Sequence, residues 1–335
     1  MSEKGPVFVA GAERSGTSLL YALLTSHPQI AMMRRTNYWA YFHHQFGDLS
    51  QPKNFERCLQ AMMRYKRIHV WQPDPERLRQ EFAQGEPSYG RLLTILARQY
   101  AQKKGKPRWG DKSLNTERYA DAVFATFPEA RLIHIIRDPR DRYASALKRW
   151  QVIRGEAGSG TAAWLASAHL AWRNERRFAG RYMVVRYETL VAQPEATLRD
   201  ICRFLDEPYT PAMIAMHGAA EFRDEGGNSS YGTRQPGQIS TNSVGRYRQM
   251  LSPQAIAFIQ QAARRQMLAF GYELEPMHWS ARERLRFALV DWPLNMVRMW
   301  AWHARETYYD VTGRVLPDRR IVDEPLLVPQ EGTPS

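Results

Sequence analysis

Cysteine is nearly absent from this chain of 335 residues: only Cys58 and Cys202 occur, far apart and without histidines at ligand spacing. That excludes a disulfide framework and a zinc site, and it fits a reducing compartment. No run of about eighteen uncharged apolar residues is present to span a bilayer. Four residues precede Gly5-Pro6, which leaves no room for a secretion signal, so the expected location is the cytoplasm. Lysine is scarce as well, with 8 among 47 basic residues against 34 acidic ones, for a formal charge of +13. An arginine-rich excess fits a polyanionic ligand or an anionic membrane surface. No basic run is interleaved with stacking aromatics, so nucleic acid is not an expected partner.

The most informative segment present is Pro6-Val7-Phe8-Val9-Ala10-Gly11-Ala12-Glu13-Arg14-Ser15-Gly16-Thr17-Ser18, followed by the apolar stretch Leu19–Leu24. A buried strand, a turn of small residues and a helix start place several backbone N–H groups and a helix dipole around one anion. The nucleoside-triphosphate version of this loop carries Gly-Lys before Ser or Thr. Here Thr17 follows Gly16 directly, and the cation stands two residues earlier, at Arg14. An oxyanion cradle survives without the γ-phosphate lysine, which weakens a kinase or ATPase reading. An ordinary strand-turn-helix packed through small residues is the plain alternative.

Four further segments read as short buried strands: Ile30–Met33, Arg108–Asp111, Arg131–Arg137 and Tyr182–Tyr187. Helical stretches between them, such as Thr116–Phe127, supply the crossovers that parallel strands require. The fold class is therefore α/β, a P-loop-like α/β/α sandwich around a central parallel sheet of about five strands. Within a main domain expected over 1–276, residues 37–106 form a helical insertion rich in aromatic and basic residues, including Tyr38, Trp39, His43 and His44. Such an insertion beside the carboxyl edge of a sheet suits an acceptor pocket, and equally suits plain packing. Gly218–Ser243 reads as a long functional or mobile loop. Residues 277–316 form a C-terminal helical extension, with 280–309 predicting a helical hairpin kinked near Pro293. Its tryptophans among arginines suit a peripheral membrane contact, a second subunit, or packing on the chain's own domain. The proline-rich 317–335 reads as extended or disordered.

A companion to the opening loop is Arg131-Leu132-Ile133-His134-Ile135-Ile136-Arg137-Asp138-Pro139-Arg140-Asp141-Arg142-Tyr143-Ala144-Ser145. An apolar strand ends at Arg137, Pro139 starts a helix, and Ser145 lies two turns along it, so a guanidinium and a hydroxyl converge on a second phosphate. His134 alternates with isoleucines and reads as a core residue.

With both motifs in this order, residues 5–275 resemble the PAPS-dependent sulfotransferases, in the bacterial and Golgi-type branch that includes tyrosylprotein and carbohydrate sulfotransferases. The resemblance implies that Arg14, Ser15, Gly16, Thr17 and Ser18 hold the 5′-phosphosulfate of PAPS (3′-phosphoadenosine 5′-phosphosulfate), and that Arg137 and Ser145 hold its 3′-phosphate. Val184-Val185-Arg186-Tyr187-Glu188 looks like the strand whose tyrosine meets the adenine, here Tyr187. Trp109-Gly110-Asp111-Lys112-Ser113 looks like the lysine motif, with Lys112 near the transferred group. Gly245-Arg246-Tyr247-Arg248 is similar to the segment that closes over the cofactor, with Arg246 preferred to Arg248. Sulfuryl transfer through a loose in-line transition state needs fixed cations and positioning rather than a metal.

One departure stands out. The glutamate that many members carry shortly after the second strand, beyond a His-Pro pair, is replaced by Arg34-Arg35-Thr36-Asn37 after His27-Pro28 and Ile30–Met33. Another base, an acidic acceptor, or an anionic acceptor positioned by the arginines are the alternatives. His43 or His44 and Asp111 are the candidate bases, and Asp111 could instead orient Lys112. The expected activity is sulfuryl transfer from PAPS to a hydroxyl or amine of a lipid, carbohydrate or other small acceptor. A non-catalytic nucleotide-binding module that recruits a partner, and a kinase using ATP, are the competing readings.

Overall fold

The computed structural model describes residues 4–149, 156–224, 227–228 and 237–312. Five parallel strands, β1 (Val7–Ala10), β2 (Ile30–Arg34), β3 (Arg108–Lys112), β4 (Arg131–Ile136) and β5 (Tyr182–Arg186), form one sheet in the order β2-β3-β1-β4-β5. Helices cover both faces, as the near-continuous apolar runs of parallel strands demand. Alternation along β1 sorts the core into two layers. Val7 and Val9 pack with Ile133, Met32 and the helix α1 (Thr17–Thr25), through Leu19, Leu20 and Leu23. Phe8 and Ala10 face the other way, toward Trp109, Leu92 and Leu96. Losing a fully buried ring such as Phe8 from this layer costs about 3–5 kcal/mol.

Because all five strands run the same way, their carboxyl ends share one edge. Connections leave β1 toward β2 and leave β4 toward β5, so that edge has a switch point between β1 and β4, where open α/β sheets bind ligands. The segments following β1, β3 and β4 all open there.

Between β2 and β3 the chain forms five helices, from Tyr38–Tyr41 to Tyr89–Lys103. Their aromatic residues serve packing: Tyr38, Trp39 and Phe42 are buried, and Tyr38 Oη donates to the Tyr89 carbonyl at 2.6 Å. The stretch predicted as a helix over 116–127 splits into a 3₁₀ turn, Thr116–Tyr119, and the helix Ala120–Thr126.

At the C-terminus the expected hairpin is not found. A capping box of Ser280 and Glu283 starts Ala281–Arg286, and the run continues through a π turn, Phe287–Asp291, into the helix Trp292–Thr312. The wide turn accommodates the ring and missing N–H of Pro293 without reversing the chain. One face packs on the helix Ala157–Arg177. There the Gly158 N–H donates to Asn295 Oδ1 at 2.9 Å, and a Cβ on Gly158 would stand 2.1 Å from the Asn295 carbonyl oxygen. Glu306 pairs with Arg118 at 2.6 Å. The opposite face leaves Val297, Trp300, Tyr308 and Val311 exposed, Trp300 at 72%. Among the described residues, no helix is long and apolar enough to cross a membrane. The expectation for 317–335 falls outside the described residues, as does part of the 218–243 loop.

Candidate functional site

The turn after β1 is built around two glycines. Gly11 has φ +141°, and a Cβ there would lie 2.5 Å from the Ile135 carbonyl oxygen; Gly16 has φ +103°, and its Cβ would lie 2.3 Å from the Tyr187 ring. Both positions require a residue without a side chain. No side chain caps the start of α1, so its first-turn N–H groups face the turn. Ser15 is buried with its hydroxyl unpartnered. Arg14, at φ 69°, turns its side chain out so that Nε donates to Ser145 Oγ at 3.0 Å.

That bond links the turn to the second motif. Arg137 ends β4 and donates from Nη1 to the Arg14 carbonyl at 3.2 Å and from Nη2 to the Ser243 carbonyl at 2.7 Å. Its guanidinium lies 4.5 Å from the centre of the Tyr187 ring. Its Nε is buried and unpartnered, and among the described residues no carboxylate forms an ion pair with it. Tyr187, first residue of the helix Tyr187–Ala192, shares a 2.7 Å hydrogen bond with Ser243 Oγ. The return of the long loop therefore closes on Arg137 and Tyr187. Arg246 follows shortly after, held by its neighbours: the Gly245 and Tyr247 N–H groups donate to the Asp141 carboxylate at 2.6 and 2.9 Å. Arg248 is exposed and pairs with Glu275 instead. Arg14, Ser15, Gly16, Thr17, Ser18, Arg137, Ser145, Tyr187 and Arg246 thus lie along one side of the carboxyl edge.

Lys112 closes β3 at 1% exposure, and burial, aided by Arg35 and Arg34, pushes its amine down to about 7. Asp111 does not pair with it. Register places Asp111 beside Phe8 and Lys112 beside Val9, and adjacent strand residues face opposite sides of a sheet. Asp111 instead accepts from Ser113 Oγ at 2.8 Å, and Ser113 Oγ accepts from the Asn37 N–H at 2.8 Å, tying β3 to the turn after β2. Burial raises its carboxyl to about 6. His43 and His44 are not brought to this edge. They pack on Tyr89 and line a separate cleft of about 390 Å³ with Gly90, Thr126 and Phe127. Burial, then His44, pushes His43 down to about 4. His134 is a satisfied core residue between Tyr182 Oη at 2.7 Å and Ser167 Oγ at 3.0 Å.

Several contributors were not picked out from sequence. Ser243 lies within a loop recognisable only as long. Arg142, buried, has its guanidinium pushed down to about 10 by burial. Glu13 stands inside the anion turn itself. A carboxylate in a phosphate cradle is electrostatically unfavourable, and that anomaly was the available signal.

Residues 6–211 match the family described as "Sulfotransferase family". The "Protein-tyrosine sulfotransferase" of Drosophila melanogaster is 27% identical over 216 residues, covering 62% of this chain and 39% of that protein. "Protein-tyrosine sulfotransferase 1" of Danio rerio is 25% identical over 216 residues, covering 62% and 55%. The chain thus spans about half or less of these relatives' lengths. The "Sulfotransferase Domain from the Synechococcus PCC 7002 Olefin Synthase" superposes with a TM-score of 0.54 at 20% identity, covering 82% of this chain and 98% of that one.

Proposed function

Since this chain belongs to the sulfotransferase family, we propose that it transfers the sulfuryl group of PAPS to an acceptor hydroxyl, releasing adenosine 3′,5′-bisphosphate (PAP). The observation that carries this reading is the single network joining two donor-lined anion subsites, in which Arg14 bonds to Ser145 and Arg137 bonds to the Arg14 carbonyl. PAPS supplies two anionic groups and the labile phosphosulfate bond. The residues fit it: the unpartnered Ser15 hydroxyl and Arg137 Nε are donors awaiting acceptors, and buried donors without partners cost stability.

In this reading Ser15 and the α1 N-terminus hold the 5′-phosphosulfate, with Gly16, Thr17 and Ser18 supplying backbone N–H groups. Arg137, Ser145 and Arg246 hold the 3′-phosphate, and Tyr187 borders the adenine. Arg14 and Lys112 stabilise charge that develops on the leaving oxygen. The named relatives concern protein tyrosine, which makes a tyrosine phenol the first acceptor to test, followed by carbohydrate and lipid hydroxyls. With sulfur-labelled PAPS, label is expected to reach an acceptor at the same rate with and without EDTA. Transfer that needs magnesium and ATP would replace this reading with a kinase.

We further propose that the exposed face of Trp292–Thr312 rests on an anionic membrane surface. Val297, Trp300 and Val311 lie opposite the packed face, and the exposed Arg282, Arg284, Arg286 and Arg305 flank that apolar run. Trp300→Glu with Val297→Glu is expected to abolish flotation with phosphatidylserine vesicles while PAP affinity stays unchanged. Wild-type chain that fails to float but sediments as a dimer, dissociated by the same pair, would assign the face to a second copy.

A further inference from the structure

We infer that Glu13 is the general base that takes the acceptor's proton, standing in for the carboxylate missing after β2; this rests on the sulfuryl-transfer reading above. Acids at the carboxyl edge are few, and Asp111, Glu117, Asp138, Asp141 and Glu188 each already accept a hydrogen bond or pair with a cation. Asp111 faces the opposite side of the sheet and accepts from Ser113. Glu117 accepts from the Gly11 N–H at 3.1 Å and from Ser167 Oγ at 2.8 Å. Asp138 pairs with Arg140, Asp141 holds the Gly245 and Tyr247 N–H groups, and Glu188 accepts from the Asp138 N–H.

Glu13 is half-buried and, among the described residues, has neither a hydrogen bond nor an ion pair. The cations near enough to act on it are Arg142 from the helix Pro139–Arg149, Arg14 from its own turn, Arg35 from the turn after β2, and Lys112 from β3. It stands in the turn at the end of β1, whose neighbour β3 carries Lys112 opposite Val9, and Arg142 and Arg14 are the cations that act on it most strongly. Burial lifts its carboxyl above the ordinary range despite the four cations, in the direction a base working near neutral pH requires.

The step balances. The acceptor oxygen forms its bond to sulfur, and the bond from sulfur to the 5′-phosphate oxygen breaks with its electron pair leaving on that oxygen. The hydroxyl proton passes to a Glu13 carboxylate oxygen and then to solvent. No oxidant or metal enters the balance.

The variant Glu13→Gln keeps shape and removes the base. With a tyrosine peptide as acceptor, kcat is expected to fall by about 100-fold or more, and the acid limb of the pH profile to disappear. PAP affinity by calorimetry is expected to stay within about threefold or to tighten, because a negative charge leaves the cradle. The loss is expected to shrink to less than about tenfold with 4-nitrophenol, an acidic phenol that needs little help to ionise. A role limited to balancing Arg14, Arg142 and Lys112 would not depend on the acceptor's acidity. Infrared difference spectra of wild type against Glu13→Gln should show one carboxyl titrating above the ordinary glutamate range. Wild-type rates in the variant, equal losses with both acceptors, or a loss of PAP binding matching the loss of rate would each overturn the role of Glu13 alone. A wild-type chain that neither binds PAP nor sulfates any acceptor would overturn the underlying reading, and this role with it.

Discussion

Arg137→Ala is expected to weaken PAP binding by roughly 10- to 100-fold and AMP binding by no more than about threefold. A charge-assisted hydrogen bond to a phosphate contributes about 1.5–3 kcal/mol, and only PAP carries the 3′-phosphate that Arg137 would meet. The side chain also supports the fold locally, through the Arg14 and Ser243 carbonyls and the Tyr187 ring. Its removal therefore loosens the cradle for both nucleotides, and the ratio of the two affinities is the informative quantity. Arg137→Lys separates the effects further. It keeps the charge and loses the planar fork that reaches both carbonyls, so an intermediate PAP affinity is expected. Equal losses of PAP and AMP in calorimetry would place the 3′-phosphate elsewhere and remove the assignment of this subsite.

The parts legible in the sequence were those fixed by local chemistry. The four strands after the first start and stop within one residue of their expected limits because short apolar runs are bounded by glycine, proline or charge. Arg137 and Ser145 announced themselves through a strand end, a proline and two helical turns, all local features. What stayed hidden depended on strand order or facing. Asp111 and Lys112 are neighbours in the chain and strangers in the sheet, since β-strands alternate faces. Glu13 gained meaning only once the order β2-β3-β1 brought Arg35 and Lys112 to the end of β1. His43 and His44 looked apt as bases by residue type, but they lie in the turn just after the short helix Tyr38–Tyr41, which Tyr38 anchors to Tyr89, and this draws them into an aromatic cluster. Pro293 suggested a chain reversal, yet a single π turn before it was enough to keep the helix going.

Lys112→Met is expected to lower kcat by about 100- to 1,000-fold, the usual cost of removing one fixed donor from a developing negative charge, and at the same time to raise the melting temperature of the free protein. The two effects share one cause. Burial holds the Lys112 amine at about 7 in the folded chain, against an ordinary value of 10.5. Between those values the unfolded chain binds the proton that the folded chain has released, so this group makes stability rise with pH across that window. Its destabilising contribution is complete below about pH 7 and gone near 10.5. Methionine fills similar volume without charge, so the gain in stability should be largest at pH 6 and vanish toward pH 10, which thermal unfolding across that range would check. Anionic ligand restores the missing counter-charge. PAP binding near pH 8 should then draw a proton onto Lys112, seen as a dependence of binding enthalpy on the buffer's ionisation enthalpy, and Lys112→Met should abolish it. A variant that is no more stable than wild type at pH 6, or that takes up the proton as before, would show that the buried charge lies elsewhere. A strained lysine that is comfortable only beside an anion is a group selected for what it binds, and its cost to the free protein is the measurable sign of that.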